Sequence, residues 1–423
     1  MSRVPATGKR SPRRRVKAVA AVAVASQRNE LPTPAQAAKA YATVALVLQG
    51  GGALGAYQCG VYEGLHAAGL WPNWFVGTSI GAINAAILAG NAPEQRVAHL
   101  HEFWDTICQP AGGARAIAAG VRAWLGWVPP LYALDAWANS LGALGALLFG
   151  QQGFFNVRPQ PPFLFADGSP RATSFYDTAP LRATLERHVD FDRINAHGGP
   201  RLTVGATEVE TGNVRYFDSA RERIRPEHIM ASGALPPAFP AVEVDGKHYW
   251  DGGLVSNTPL ERVWEDTPRR DSLVLQVDVW SARGDLPRTL MDVLERQKDI
   301  QYSSRTRLGT DAGARMQRLR RAISELLARV PVDQLDPELR KTLQPWTCNC
   351  VFNIVHLIYQ TKRHEAEFKD YAFGLDTQHE HWADGCADMQ QTLEHPDFFV
   401  PPPRTVGVAT HDVRRIVAAR GGV

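Results

Sequence analysis

The sequence predicts an α/β fold in which helices cover a parallel β-sheet, and two consecutive strand-to-helix units lead to this prediction. In the first unit, the apolar residues 44–48 predict a buried strand and residues 53–65 predict the helix that follows it. In the second, residues 73–90 give a short apolar strand, a tight turn and a helix rich in Ala and Ile. Strands that alternate with helices in this way are typical of a parallel sheet with helices packed on it.

Further strands and helices are predicted downstream from short apolar runs and from helical periodicity. The predicted strands are residues 202–206, 214–217, 272–280 and 351–359. The predicted helices are residues 286–307, 312–330 and a last stretch that ends near residue 393. The turn at residues 211–213 is expected to join the first two of these strands as a pair. Near Arg283 the composition changes to charged helix, which places a boundary between residues 41–282 and a mainly helical extension over residues 283–423.

Composition limits the class of protein. At 423 residues the chain is long enough for one large domain and a smaller one. No stretch has the roughly 18 consecutive apolar residues of a membrane-spanning helix. The five cysteines are few and odd in number, which favours a reducing compartment, and hence the cytoplasm, over a disulfide framework. Residues 116–155 are apolar without a regular period, so packed helices and an apolar surface for lipid both remain alternatives.

The first 40 residues form a basic arm. Residues 1–40 carry nine Lys or Arg against one acid, Glu30, although the net charge of the whole chain is only +3. Such an arm is predicted to be disordered and to favour anionic surfaces, which are phospholipid headgroups or nucleic acid. Two alternatives stay open. The arm is a solvated tail without a partner, or the basic stretch "KRSPRRRVK" and the Ala/Val run after it form a secretory or twin-arginine signal.

A glycine-rich loop follows the first predicted strand. Gly50, Gly52 and Gly55 have the spacing G-x-G-x-x-G, which is typical of a dinucleotide-binding turn. A dinucleotide fold also places an Asp or Glu about 20 residues later to bind the ribose. Residues 70–76, "LWPNWFV", contain no acid. The bare amides of the loop are therefore free, in this interpretation, to bind a different negative charge, such as an oxyanion.

The second predicted strand runs into Gly77-Thr78-Ser79-Ile80-Gly81. This is the G-x-S-x-G pattern of a nucleophile elbow, in which small residues allow a sharp turn that exposes the serine hydroxyl at the start of a helix. The helix dipole there favours a developing anion. The pentapeptide alone is weak evidence, but its position between a strand and an apolar helix makes Ser79 the candidate nucleophile.

An acid follows a third predicted strand end. In "HYWDGGLVSNTPL", Asp251 comes after a short aromatic strand and before Gly252 and Gly253. A lone Asp-Gly-Gly is more often an acidic turn that caps the next helix. A nucleophilic serine, however, needs a base and an oxyanion hole. The three motifs together therefore favour Asp251 as the base.

The order G-x-G-x-x-G, G-x-S-x-G and D-G-G, each motif at its own strand end, resembles the patatin-like phospholipases. The similarity covers about residues 44–280 and includes the long stretch 230–259, "MASGALPPAFPAVEVDGKHYWDGGLVSNTP". The resemblance implies a three-layer α/β/α patatin-like hydrolase fold for residues 41–282. Residues 283–423 resemble the additional C-terminal domain of a bacterial subgroup of that family.

The resemblance also implies a reaction: hydrolysis of carboxylic esters of lipids by a Ser-Asp dyad through an acyl-enzyme. Ser79 is then the nucleophile and Asp251 the base. The implied oxyanion hole is formed by the amides of Gly50, Gly51, Gly52 and Ala53, and the remaining motif glycines are Gly55, Gly77, Gly81, Gly252 and Gly253. Leu54 departs from the family, because many members carry Arg or Lys there. The expected partners are a lipid or other ester and, peripherally, an anionic membrane, with no nucleic acid and no cofactor.

Two other functions remain open. A Ser-His-Asp esterase needs a histidine after the acid in chain order, and six are available: His356, His364, His379, His381, His395 and His411. A nucleotide-binding or scaffold module with an inert serine is the other alternative. No metal site is predicted, because Cys348-x-Cys350 lacks a second pair at ligand spacing and the histidines of "QHEHWADG" are expected on a surface helix.

Overall fold

The computed structural model describes residues 31–109, 150–361, 369–371 and 373–413. Its strands in these ranges, in chain order, are β1 (Thr43–Leu48), β2 (Trp74–Thr78), β3 (Asn156–Val157), β4 (Tyr176–Asp177), β5 (Arg201–Glu208), β6 (Val214–Asp218), β7 (Val242–Val244), β8 (Lys247–Asp251), β9 (Ser272–Asp278), β10 (Phe352–Ile358) and β11 (Val408–Asp412). Its helices are α1 (Pro34–Ala38), α2 (Gly55–Ala67), α3 (Ile80–Gly90), α4 (Arg96–Cys108), α5 (Pro170–Thr173), α6 (Ala179–His188), α7 (Phe191–Asn195), α8 (Pro226–Ser232), α9 (Glu261–Trp264), α10 (Leu290–Arg329), α11 (Pro337–Leu343) and α12 (Leu375–Leu393).

A mixed sheet forms the middle layer. Its strand order is β11-β10-β9-β1-β2-β5-β8-β7, and β6 pairs with β5. Strands β1, β2, β5, β9, β10 and β11 are parallel, whereas β6, β7 and β8 form antiparallel pairs. Alternate residues of β1 enter two separate apolar cores, Leu46 with α2 and α3 on one face and Val47 with α9 on the other. The predicted α/β/α layering is therefore confirmed.

The register brings three strand ends together. The last residue of β1, Leu48, pairs with Gly77 in β2 and with Val277 in β9. Because carboxyl ends of parallel strands meet at one edge of a sheet, the loops after β1, β2 and β9 lie side by side. Strand β8 arrives antiparallel to β5 and ends there too, with Asp251 opposite Ala206. This edge positions the candidate site.

The C-terminal region contributes two strands to the same sheet. Strand β10 pairs with β9, and β11 pairs with β10. Helix α12 packs closely on α2, because a Cβ on Gly60 would lie 1.9 Å from the carbonyl oxygen of Trp382. The strand and the final helix predicted for this region are present as β10 and α12, and β11, within the described residues, is a strand that the sequence does not predict. The domain boundary near Arg283 stays a prediction.

Two helices predicted at residues 286–307 and 312–330 form one helix, α10. Gly309 lies in the gap between the two predicted helices, but a single glycine inside a helix costs only about 1 kcal/mol. Tertiary packing outweighs that cost, since Gly313 lies against the Trp264 ring, where a Cβ would come within 2.3 Å of Cε2.

The basic arm lies mostly outside the described residues, as do most of the apolar residues 116–155. The described end of the arm contains a short helix. Pro34 begins α1, Thr33 and Gln36 form a capping box, and Ala37 and Ala38 are buried. None of the helices in the described ranges combines the length and the apolar character needed to cross a membrane.

Candidate active site

Ser79 occupies a sharp turn between β2 and α3. Its backbone has φ 56° and ψ −127°, a region that a residue with a side chain rarely adopts. The flanking glycines make the turn sterically accessible. A Cβ on Gly77 would lie 2.2 Å from the carbonyl oxygen of Gly81, and a Cβ on Gly81 would lie 2.4 Å from that of Leu48. The turn has the strand-to-helix geometry expected from the G-x-S-x-G pattern.

Asp251 lies within hydrogen-bonding distance of this serine. The Ser79 hydroxyl Oγ donates to Asp251 Oδ2 at 2.6 Å, and the Gly253 amide donates to Oδ1 at 2.7 Å. The backbone of Asp251 is fixed as well, because its N–H donates to the carbonyl oxygen of Ala234 at 2.9 Å. Both carboxylate oxygens thus have partners, and one of them faces the serine hydroxyl directly.

Burial controls the acidity of Asp251. The residue is 2% exposed. Loss of hydration raises the pKa of its carboxyl to about 6, against the opposing effect of the hydrogen bonds from Ser79 and Gly253. A carboxylate with a pKa near 6 is ionised at neutral pH and is a stronger base than an exposed aspartate.

A buried serine that sequence reasoning missed supports the turn. The amide of Ser79 donates to Ser232 Oγ at 3.0 Å, and the Ser232 hydroxyl donates to the carbonyl oxygen of Gly205 at 2.6 Å. Ser232 ends α8 within the stretch that carries the family resemblance, but only the fold shows that it contacts the turn. The Ser79 amide is consequently occupied.

The glycine loop lies beside Ser79. Gly50 is fixed by Asn257, since its N–H donates to the Asn257 carbonyl oxygen at 3.1 Å and its own carbonyl accepts from Asn257 Nδ2 at 3.0 Å. The Gly50 amide, expected in the oxyanion hole, therefore already donates a hydrogen bond within the protein. In the described part of the chain, the amides of Gly51, Gly52 and Ala53 have no hydrogen-bond acceptor. Leu54, at the position where many family members carry a cation, is fully buried.

The C-terminal region contacts this loop directly. Gly52 has φ +56°, and a Cβ on it would lie 2.1 Å from the carbonyl oxygen of Asp370. Asp370 belongs to a short 3-10 turn, Lys369–Tyr371, and its carboxylate accepts hydrogen bonds from Lys298 Nζ of α10 at 3.0 and 3.1 Å. The neighbouring Lys369 is buried and forms an ion pair with Asp299 at 2.8 Å. Lys369 also forms an ion pair with Glu295 at 3.0 Å, so three ion pairs hold this turn, which contacts the glycine loop, against α10.

A cavity of about 170 Å³ opens at Ser79. Its lining includes an aromatic group in which the Phe155 ring centroid lies 4.8 Å from that of Tyr176 and 5.2 Å from that of Phe239. Because one water needs only about 10–15 Å³ of such space, the cavity has room for part of a substrate. Its described lining contains no Lys, Arg or His. The cavity therefore suits an apolar group next to the serine.

The histidines considered for a triad lie elsewhere. The Asp251 carboxylate contacts Ser79 and Gly253, and none of the described candidates lines the cavity. Those candidates are His356, His379, His381, His395 and His411, while His364 lies outside the described residues. The two histidines of "QHEHWADG" lie on α12, where His379 is exposed as expected. The prediction is wrong for His381, which is fully buried with its ring 5.2 Å from that of Tyr359.

The chain is thus an α/β/α protein with its candidate active site at one edge of the sheet. Comparison of its sequence with models of protein families then identifies its family. A family model described as Patatin-like phospholipase matches residues 46–264, just over half of the chain. A second model, described as Patatin phospholipase, matches residues 300–405. The chain therefore belongs to the patatin-like phospholipase family. No curated protein matches it.

Two solved structures are among those that match this chain. VipD from Legionella pneumophila has a TM-score of 0.34 and 15% identity, with 83% of this chain and 67% of that chain covered. The structure of full-length SpcU in complex with full-length ExoU from the type III secretion system of Pseudomonas aeruginosa has a TM-score of 0.22 and 17% identity. That match covers 72% of this chain and 60% of the other.

Proposed function

We propose that this protein is a serine lipid acyl hydrolase that cleaves carboxylic esters with a Ser79–Asp251 dyad. The observation that carries the proposal is the 2.6 Å hydrogen bond from the Ser79 hydroxyl to a buried carboxylate, at the start of a helix and beside a loop with unpaired amides. Membership of the patatin-like phospholipase family supports a lipid ester as the substrate.

The proposed reaction uses Ser79, Asp251 and the amides of the glycine loop. Ser79 Oγ attacks the ester carbonyl carbon while Asp251 Oδ2 accepts the hydroxyl proton. The amides of Gly51, Gly52 and Ala53 stabilise the oxyanion of the tetrahedral intermediate. Asp251 then returns the proton to the departing alkoxide, which leaves an acyl group on Ser79. A water molecule attacks this acyl-enzyme, gives its proton to Asp251 and releases the fatty acid, with the proton returning to Ser79.

The cavity lining supports an apolar acyl chain as the group next to Ser79. Aromatic and aliphatic side chains dominate it, with no cation among the described lining residues to bind a phosphate headgroup. A fluorophosphonate probe followed by peptide mapping tests the proposal, and labelling at Ser79 is expected. Absence of labelling in the folded protein would contradict it. A set of p-nitrophenyl esters of increasing chain length then tests the acyl preference.

Substitution of Gly52 by alanine is expected to lower kcat about 100-fold with little change in KM. The new Cβ would meet the Asp370 carbonyl oxygen at 2.1 Å and displace the amides that face the transition state. Gly212→Ala is the matched control, because Gly212 also has a positive φ, of +67°, but no heavy atom lies within 4 Å of the position that its Cβ would take. Steady-state kinetics on one ester compare the two.

The same variants distinguish an oxyanion hole from a dinucleotide site. In a dinucleotide site, NAD or FAD raises the melting temperature of the wild-type protein. We expect no such shift, and we expect slower fluorophosphonate labelling of Gly52→Ala. A stoichiometric nucleotide in the purified protein, together with unchanged labelling, would favour the binding-module alternative.

We infer that the basic arm draws the enzyme to anionic lipid. Deletion of residues 1–30 is expected to weaken binding to anionic vesicles at low salt and to leave hydrolysis of a short-chain ester unchanged. The deletion stops there because α1, which follows, buries Ala37 and Ala38. Vesicle co-sedimentation measures the effect, with neutral vesicles as the control. Equal binding by both chains would identify the arm as a solvated tail.

A further inference from the structure

The contact between helices α4 and α6 brings three metal-ligating side chains together, away from the candidate active site. His99 and Glu102 are one turn apart on α4, and His188 is the last residue of α6. The Nδ1 atoms of His99 and His188 each lie 3.8 Å from the same oxygen, Glu102 Oε2. One ligand atom from each of the three residues lies within 4.8 Å of the others. None of the three lines the cavity at Ser79.

The two imidazoles lack the partners that buried polar groups normally have. His188 is 3% exposed, and neither of its ring nitrogens has a hydrogen-bond partner in the described part of the chain. The Nδ1 atom of His99 is also buried without a partner there. At 3.8 Å, the Glu102 oxygen is too distant for a hydrogen bond to either ring. Unpaired buried nitrogens cost about 1–3 kcal/mol each, so a ligand that binds them removes a real penalty.

We propose that His99, Glu102 and His188 bind a divalent transition-metal ion of the Zn²⁺ class. Two imidazole nitrogens and one carboxylate oxygen form a donor set that suits such ions, whereas Mg²⁺ and Ca²⁺ prefer sites made of oxygen alone. The remaining coordination positions are taken by water, because Glu102 is 64% exposed and the group opens to solvent on its side.

The spacing of the ligand atoms fits an ion of this size. Metal bonds of about 2.1 Å in a tetrahedral site place the ligand atoms about 3.4 Å apart. The two nitrogen-to-oxygen distances of 3.8 Å therefore need to shorten by only a few tenths of an ångström. The exposed Glu102 side chain supplies that movement. The separation of the two imidazole nitrogens, at most 4.8 Å, closes by a shift of the partly exposed His99 ring toward the buried His188 ring.

The ion would cross-link two helices that support the active-site region. The carbonyl oxygen of His188 accepts a hydrogen bond from Asn91 Nδ2 at 2.7 Å, and Asn91 follows α3, the helix that begins next to Ser79. On α6, the Thr184 hydroxyl donates to the carbonyl oxygen of Gly153 at 2.6 Å, just before a phenylalanine that lines the cavity. The role we assign to the ion is structural, since it holds α4 against α6.

Cobalt and zinc titrations of the chelator-treated full-length protein test this site. We expect one equivalent of Co²⁺ to bind and to give visible d–d bands without a thiolate charge-transfer band, because the ligands are nitrogen and oxygen. Glu102→Gln and His99→Asn, which change side chains with exposed parts, are expected to weaken Co²⁺ and Zn²⁺ binding at least about tenfold. His101→Asn is the matched control, because His101 is on the same helix but stacks on Trp382.

The outcomes separate this site from others on the chain. A thiolate charge-transfer band would assign the bound ion to a cysteine site, such as Cys348 with Cys350, and would overturn the proposal. So would wild-type affinity in both Glu102→Gln and His99→Asn, or no uptake by the folded wild-type protein. A Zn²⁺-dependent rise in melting temperature that is present in the wild type and in His101→Asn but absent in the two ligand variants would support it independently of any enzymatic activity.

Discussion

Replacement of Ser79 by alanine is expected to reduce ester hydrolysis by about 10³–10⁶-fold, because no other group takes over the attack on the carbonyl carbon. The turn should survive the change. Alanine removes only the hydroxyl, whose partner is the Asp251 carboxylate, and the supporting contact between the Ser79 amide and Ser232 stays in place. Turnover of a p-nitrophenyl ester, fluorophosphonate labelling and a thermal melt measure activity, reactivity and folding on one sample.

Two further serine variants sharpen this result. Ser169→Ala is the control for labelling, because the Ser169 hydroxyl donates to Asp167 Oδ1 in a surface turn and does not line the cavity. Ser232→Ala keeps the nucleophile but removes the acceptor for the Ser79 amide, so we expect slower labelling rather than none. Undiminished turnover by a folded Ser79→Ala variant would exclude Ser79 as the nucleophile and with it the proposed mechanism.

The strand ends that carry the site could be predicted because their signals are local. An apolar run followed by glycines and a helix specifies a strand, a turn and a helix within about 20 residues, as in β1 with α2 and β2 with α3. The parallel register then follows from the helical crossover between them. Ser79 and Asp251 are 172 residues apart in the chain, and their meeting could be expected only from the family resemblance.

The hydrogen bonds that support the site could not be predicted. Each joins residues that are distant in the chain, and serine, asparagine and lysine are too common for one of them to stand out in the sequence. Ser232, Asn257 and Lys298 are not marked by any of the three short motifs, and each acquires its role from the backbone atoms or the carboxylate that the fold places next to it. The sequence likewise predicts β10 only as a strand within an extension, since a short apolar run does not reveal which sheet it joins. His99 and Glu102 are three residues apart on one helix, but His188 comes from another helix, so the sequence alone does not show the group of three.

Replacement of Asp251 by asparagine is expected to lower kcat at least about 10³-fold, because an amide cannot accept the serine proton. No single His→Ala change after residue 251 is expected to match that loss. His364→Ala is the most informative of these, since His364 lies outside the described residues. A histidine variant as inactive as Asp251→Asn would replace the dyad with a Ser-His-Asp triad.

The acidity of Asp251 adds a pH dependence to this prediction. Burial raises the pKa of its carboxyl to about 6, so the base is protonated and inactive below that pH. In the wild type, kcat/KM is expected to be constant above about pH 7 and to fall roughly tenfold per pH unit below pH 6. The rate of fluorophosphonate labelling should follow the same curve. A profile that stays flat down to pH 5 would contradict a base with this pKa.

Asp251→Asn is also expected to stabilise the protein while it inactivates it. A carboxyl whose pKa rises from 3.8 to about 6 on folding binds its proton more tightly in the native state, so its contribution to stability falls as pH rises between about 4 and 6. Above pH 6 the full cost of the buried charge is present, about 3 kcal/mol.

Asparagine carries no charge and keeps an acceptor for the Gly253 amide, so the free energy of unfolding of Asp251→Asn should rise above that of the wild type at pH 8 and converge with it near pH 4. Asp278, whose carboxyl pKa burial raises to about 7, is present in both proteins and cancels from the difference. Urea unfolding at both pH values measures it. An Asp251→Asn variant with a lower free energy of unfolding than the wild type at pH 8 would contradict this prediction. It would mean that the ionised Asp251 carboxylate stabilises the fold, and that its burial is not a cost borne for catalysis.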